Sequence, residues 1–266
     1  MAVAFDAPAG VSIDGHRAAR SARLGVGHAL MSKIRGRLTN PLLSVVMPVF
    51  NEAATVEEIV RRVLAVPLRT QLIVVDDFST DGTRDLLTRL QPELGFTLLL
   101  QPRNRGKGAA LRTGFEAVRG DLVVIQDADL EYSPEEFPAL IELICDGRAD
   151  VVYGSRFLGR HRVFLFTHYL GNRVLTFLTN VLYNTMLSDM ETCYKVMRTE
   201  VLRSMVLRSD GFGIEPELTA KIFKRGYRVY EIPITYDGRG YEEGKKIGWR
   251  DGVVALWVLL RYRFTE

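Results

Sequence analysis

The chain has 266 residues, 47% of them hydrophobic and 25% charged, enough for a substantial core in one large domain or two small ones. The net charge of +3 is uneven: residues 1–40 carry Arg17, Arg20, Arg23, Lys33, Arg35 and Arg37 against Asp6 and Asp14, which leaves 29 basic and 30 acidic residues in the remainder. A near-neutral body with no basic stripe along a helix argues against nucleic-acid binding, and two cysteines, Cys145 and Cys193, are too few for a disulfide framework, so reduced thiols and a cytoplasmic setting are expected.

Residues 1–40 lack the apolar core of a secretion signal. Rich in Ala, Gly and Arg, they read as a flexible basic extension. It is either an unstructured arm or one drawn to an anionic membrane surface, where each Lys or Arg contributes about 1 kcal/mol. From Leu42 onward, short β-branched runs alternate with amphipathic ones. Strands are predicted at Leu43–Met47, Leu72–Val75, Phe96–Leu100, Leu122–Ile125 and Val151–Tyr153, with helices near 53–65, 83–90, 107–118 and 134–145. This alternation predicts an α/β fold over 41–236, a mostly parallel sheet flanked by helices. Ligands of such sheets bind beyond the carboxyl ends of the strands.

The residues just past each apolar run are therefore the place to look for a site. After the first run comes "PVFNE", after the second "DDFSTDGT", after the fourth "QDADLEY" and after the fifth "GSRF". Ser79 and Asp81 read equally as ordinary helix caps. Asp127 and Asp129, two apart and with Glu131 next in the series, would repel one another unless a cation sat between them. Oxygen ligands without His or Cys point to Mg²⁺ or Mn²⁺, and Mg²⁺ completes its shell with substrate phosphates. The G-x-x-x-x-G-K-[ST] phosphate cradle and a G-x-G-x-x-G after the first strand are both absent. "RGKGAALRTG", with Lys107, reads either as an anion-holding helix start or as a turn and a solvated first helical turn.

In the second half, no stretch reaches the roughly 18–20 apolar residues that a spanning helix needs. Phe164–Leu187 comes nearest, but His168, Asn172, Arg173, Asn180 and Asn184 mark the polar stripe of an amphipathic helix. The segment 237–266 ends in "WRDGVVALWVLLRYRF", an apolar body flanked by Arg and aromatic residues. That pattern suits a helix lying in a membrane interface, or one packed on the protein's own core.

Taken in order, "SVVMPVFNE", "IVVDDFSTDGT", "RNRGKGAALRTG", "QDADLEY" and "YGSRF" resemble family 2 of the nucleotide-sugar glycosyltransferases, which have the GT-A fold. The likeness is to the branch that uses polyprenyl (dolichyl-type) phosphate and transfers mannose or glucose, and it covers about residues 42–250. The resemblance implies that Asp127 and Asp129 hold a metal on the donor diphosphate, with Ala128 between them and Glu131 beside them. Glu131 departs from the Gln often found there. Asp76 and Asp77 would lie near base and ribose, while Pro48, Val49 and Glu52 would line the nucleotide pocket. Lys107 and Arg156 would meet phosphate. Asp189 and Glu217 would lie by sugar and acceptor, although each reads equally as a cap or a salt-bridge partner. Arg239, Lys245 and Lys246 would belong to a mobile loop closing on the donor, or to a solvated loop.

The implied reaction is metal-dependent inverting transfer of a hexose from GDP-mannose or UDP-glucose to a polyprenyl phosphate. Asp129, Asp189, Glu217 and Arg156 are its expected catalytic residues, and peripheral contact with the inner face of the membrane is expected. A lipid phosphate is already ionised and needs no protein base. The alternative is a hydroxyl of a soluble or secondary-metabolite acceptor, for which Asp189 or Glu217 would serve as base. A nucleotidyltransferase and a non-catalytic scaffold are further rivals, disfavoured respectively by "PVFNE" after the first strand and by the intact D-x-D pair.

Overall fold

The computed structural model describes residues 36–163, 165–239 and 248–266. The predicted basic extension lies almost wholly outside these, and Lys245 and Lys246 lie outside them as well. Seven strands form one sheet: β1 Leu43–Val49, β2 Thr70–Asp76, β3 Thr97–Leu100, β4 Leu122–Ile125, β5 Val151–Ser155, β6 Lys195–Arg198 and β7 Val229–Pro233. Their spatial order is β3-β2-β1-β4-β6-β5-β7. The described helices are α1 Val56–Ala65, α2 Thr83–Leu94, α3 Lys107–Glu116, α4 Phe137–Cys145, α5 Phe166–Tyr183, α6 Thr199–Arg203, α7 Ile214–Lys224 and α8 Trp249–Phe264.

Strands β1 to β4 pair in parallel through the crossover helices α1, α2 and α3. All four residues of β4 and nearly all of β1 are buried, which is why these strands read as unbroken apolar runs rather than alternating ones. Helix α3 lies tight on the sheet: a Cβ at Gly114 would collide with the Val46 side chain. Pro233 ends β7 at the sheet edge, where a missing backbone donor is tolerated.

Strand β6 is absent from the sequence prediction. It is four residues long, "KVMR", and its polar ends disguise it. Lys195 is wholly buried because its ammonium meets Glu215 at 2.5 Å. Strand β6 lies between β4 and β5 and runs antiparallel to both. That reversal decides where the site is built. The chain entering β6, from Asp189 to Tyr194, arrives at the edge where β1, β2 and β4 end.

Among the described residues no helix is long and apolar enough to cross a membrane. Helix α8 does not stand apart from the core. Val258 and Tyr262 pack on Ala220 of α7, with Tyr183 of α5 against them, and the Tyr183 hydroxyl donates to the Leu259 carbonyl at 2.7 Å. The packed-helix reading holds for this face, and the other side exposes Val253, Trp257, Leu260 and Phe264. Helix α5 likewise exposes Phe166, Leu170, Phe177 and Val181.

Candidate active site

Three non-glycine residues adopt left-handed backbone at one edge of the sheet: Asn51 (φ 53°) after β1, Phe78 (φ 66°) after β2 and Leu130 (φ 64°) after β4. Strain of this kind collects where a fold must aim side chains. Beyond β4 the D-x-D segment is pinned from two sides. The Thr55 hydroxyl donates to the Ala128 carbonyl at 2.8 Å, and the Glu131 N–H donates to Asp129 Oδ1 at 3.2 Å.

Each aspartate meets its own cation. Lys107 Nζ lies 2.8 Å from Asp127 and 3.5 Å from Glu215. Arg239 lies 3.1 Å from Asp129 and 3.2 Å from Glu52. Burial works against the Lys107 charge, but the negative groups around it, Asp127 and Glu215 among them, together carry its pKa well above the usual value. Burial, reinforced by Asp127 and Glu131, pushes Asp129 up to about 7.

Glu131 stands aside from the pair. Its Oε2 accepts from the Tyr236 hydroxyl at 2.5 Å and its Oε1 from the Arg239 N–H at 2.7 Å. Among the described residues no three His, Cys, Asp or Glu side chains are grouped to hold a metal. Of the three carboxylates expected around a metal, Glu131 is engaged by a tyrosine and a backbone donor, Asp127 by Lys107, and Asp129 by Arg239 and the Glu131 N–H.

Arg156, at the end of β5, faces the same cleft. Its Nε and Nη2 donate to Asp189 at 2.7 Å each, and its guanidinium lies 5.2 Å from the Tyr236 ring centroid. Burial opposes its charge, but Asp189 raises its pKa well above the ordinary value. Pro48, Val49, Glu52, Asp77, Lys107 and Ala128 also line the cleft.

Four predicted acids are engaged by other groups of the protein. Asp76 is fully buried and bonded to Arg84 at 2.7 Å. Asp77 accepts from the Arg105 and Gly106 N–H groups at 2.9 and 2.7 Å, so the loop leading into α3 already has an internal anion. Asp189 is fully buried as the partner of Arg156. Glu217 is fully buried too, accepting from Lys221 and from the Arg208 and Ser209 N–H groups. Burial would raise Glu217, but those donors bring it below the usual carboxylate range.

The cleft also receives two carboxylates to which the sequence reading gave no site role, Glu191 and Glu215. Glu215 couples Lys107 to Lys195. For Glu191 the available signal was its place two residues after Asp189 in the segment that leads into β6. The cleft has a volume of about 1080 Å³. Its lining includes an apolar group, Leu170, Val174, Leu175 and Leu178 of α5 and Val253 and Leu256 of α8, beside His168, Asn172 and Asp251 of the same helices.

Residues 44–206 match the family model described as Glycosyl transferase family 2. Over 219 residues the chain is 32% identical to the low-salt glycan biosynthesis hexosyltransferase Agl6 of Haloferax volcanii, covering 79% of this chain and 52% of that one. It is 29% identical to the dolichol-phosphate mannosyltransferase of Pyrococcus furiosus, covering 77% and 59%. The chain thus spans between half and two thirds of the length of these relatives. Among solved structures, glucosyl-3-phosphoglycerate synthase from Mycobacterium tuberculosis, in complex with Mn²⁺, UDP and glucosyl-3-phosphoglycerate, superposes with a TM-score of 0.66 at 22% identity, covering 89% of this chain and 83% of that one.

Proposed function

The chain belongs to glycosyl transferase family 2, and from that premise we propose that it transfers a hexose, with inversion, from a nucleoside-diphosphate sugar to a polyprenyl phosphate. The observation that carries this reading is the mixed lining of the cleft. Asp127, Asp129, Lys107 and Arg156 line it together with apolar side chains of α5 and α8. An acceptor with a phosphate head and a hydrocarbon tail matches both kinds of lining. The names of the relatives point the same way, one being a dolichol-phosphate enzyme.

The charged lining fits a divalent ion. Among the described residues, eight carboxylates and three Lys or Arg side chains line the cleft. A diphosphate would add negative charge to that excess. Asp127 and Asp129 would hold Mg²⁺ or Mn²⁺, which supplies charge neutralisation for the departing nucleoside diphosphate. Arg156, fixed by Asp189, orients the acceptor phosphate. That phosphate has its second pKa near 6 and attacks the anomeric carbon without a protein base. Lys245 and Lys246, outside the described residues, are assigned to the donor by resemblance alone.

GDP-mannose and UDP-glucose are the two donors to compare. A hydroxyl acceptor remains the alternative, but the two bases proposed for it, Asp189 and Glu217, are both held in buried ion pairs. The test is to incubate the protein and Mn²⁺ with each labelled donor, with and without a short polyprenyl phosphate, and to extract into organic solvent. Label entering the organic phase, and lost in Asp129→Ala, is expected. Donor hydrolysis with no lipid product would overturn the acceptor assignment.

A further inference from the structure

We propose that Glu191 recognises a hydroxyl group of the transferred sugar; this rests on the glycosyl-transfer reading above. Glu191 lies on the segment that spans the two ends of the reaction. Two residues before it, Asp189 fixes Arg156, the phosphate-facing group. Two residues after it, the Cys193 thiol meets the Ile125 carbonyl at 3.8 Å, on the strand that leads into Asp127. A sugar in transfer must lie between its donor diphosphate and its acceptor, which is the interval Glu191 faces.

The segment around Glu191 is fastened residue by residue. The Met190 N–H donates to the Thr176 hydroxyl at 3.1 Å, the Thr192 hydroxyl donates to the Gly154 carbonyl at 2.6 Å, and the Cys193 N–H donates to the Tyr132 hydroxyl at 3.1 Å. Glu191 alone in this run is left over. Its Oε1 is shielded from solvent and has no hydrogen-bond partner among the described residues, yet the side chain lines the cleft. An unmet carboxylate oxygen is costly and is retained where a ligand completes it. Sugar hydroxyls are donors of the right kind, and a backbone held this firmly gives the side chain the fixed position that selective recognition requires.

The test separates the sugar from the nucleotide. With Mn²⁺ present, UDP and UDP-glucose, then GDP and GDP-mannose, are titrated into wild type, Glu191→Gln and Glu191→Ala by calorimetry. In Glu191→Ala the nucleotide sugar of the preferred pair is expected to bind roughly tenfold more weakly, the loss of one charge-assisted hydrogen bond. The bare nucleoside diphosphate keeps its affinity, and the melting temperature of Glu191→Gln holds or rises. Equal weakening of both members of the pair would overturn the proposal. So would unchanged sugar binding with reduced turnover, which would make Glu191 a base. If wild type bound neither pair, the glycosyl-transfer reading itself would fall.

Discussion

Arg156 and Asp189 form a closed pair. Two guanidinium nitrogens donate to the two carboxylate oxygens at 2.7 Å, and the Arg156 backbone N–H donates to Oδ2 at 3.0 Å. Asp189, expected as an acid or base, has no exposed surface, and Arg156 engages both of its oxygens. Asp189→Asn strands a buried guanidinium and should cost about 3–5 kcal/mol, measured by urea unfolding. Arg156→Lys keeps the charge but not the fork. It should raise the acceptor KM while leaving nucleotide affinity unchanged. Weakened nucleotide binding in Arg156→Lys would instead place this residue on the donor.

Burial, opposed by Lys195, pushes Glu191 up to about 7. A carboxylate raised in the folded state binds more protons folded than unfolded between its two pKa values. Its contribution to stability is therefore full below about pH 4 and is lost as pH rises through 7. Glu191→Gln lacks this loss. Unfolding both proteins in urea at pH 5 and pH 8 should show the variant gaining on wild type at the higher pH. Equal differences at the two pH values would mean that Glu191 titrates normally. If the ionised form is the sugar acceptor, the affinity advantage of nucleotide sugar over bare nucleotide should also grow through pH 7.

The parts of the site that could be read in the sequence are local. The apolar runs end at the right edge, and the Asp127 and Asp129 pair is legible from spacing, whereas the segment with Lys107 reads equally as a solvated helix start. The remainder depends on pairings between distant segments. Lys195 reads as a surface residue until Glu215, twenty positions on, is seen to bury it. Asp189, Glu191 and Glu217 are three acids of equal promise as letters. What separates them is that Arg156 and Lys221 satisfy two and nothing among the described residues satisfies the third. Glu131 likewise shows its partner only in the fold, since Tyr236, 105 positions away, donates to one of its oxygens.

Lys107 reaches Asp127 only because α3 starts close against the 209–211 loop. The Ala109 N–H donates to the Asp210 carbonyl at 2.9 Å. A Cβ at Gly108 would collide with the Ser209 carbonyl oxygen and come within 2.9 Å of that of Gly211. Backbone on both sides cannot rotate away, so Gly108→Ala should push the helix start outward. The expected result is a melting temperature lower by several degrees and weaker binding of bare nucleotide, as Lys107 leaves Asp127. An unchanged melting temperature would show that the loop yields freely and that the contact does not set the helix.

The apolar sides of α5 and α8 support membrane contact next to the cleft. Phe177 is 65% exposed, Val181 63% and Trp257 55%, and residues of both helices also line the cleft. From Phe157 to Ser188 the chain holds no Asp or Glu but has Arg160, Arg162 and Arg173. On α8 the Arg261 guanidinium lies 4.9 Å from the Trp257 ring centroid, joining charge to the apolar side chain. Apolar groups framed by arginine suit the surface of an anionic bilayer. Full burial of one such side chain contributes roughly 1.5–3 kcal/mol, so the double substitution Phe177→Glu and Val181→Glu should reduce co-sedimentation with phosphatidylglycerol-containing vesicles at least about tenfold. Neutral phosphatidylcholine vesicles should bind less well than anionic ones, and added salt should narrow the gap. Trp257 emission should shift to the blue with vesicles, and Trp257→Phe should remove that component. If the double variant sedimented like wild type, this face would not be the membrane contact, and transfer to a lipid phosphate would have to proceed from another side of the cleft.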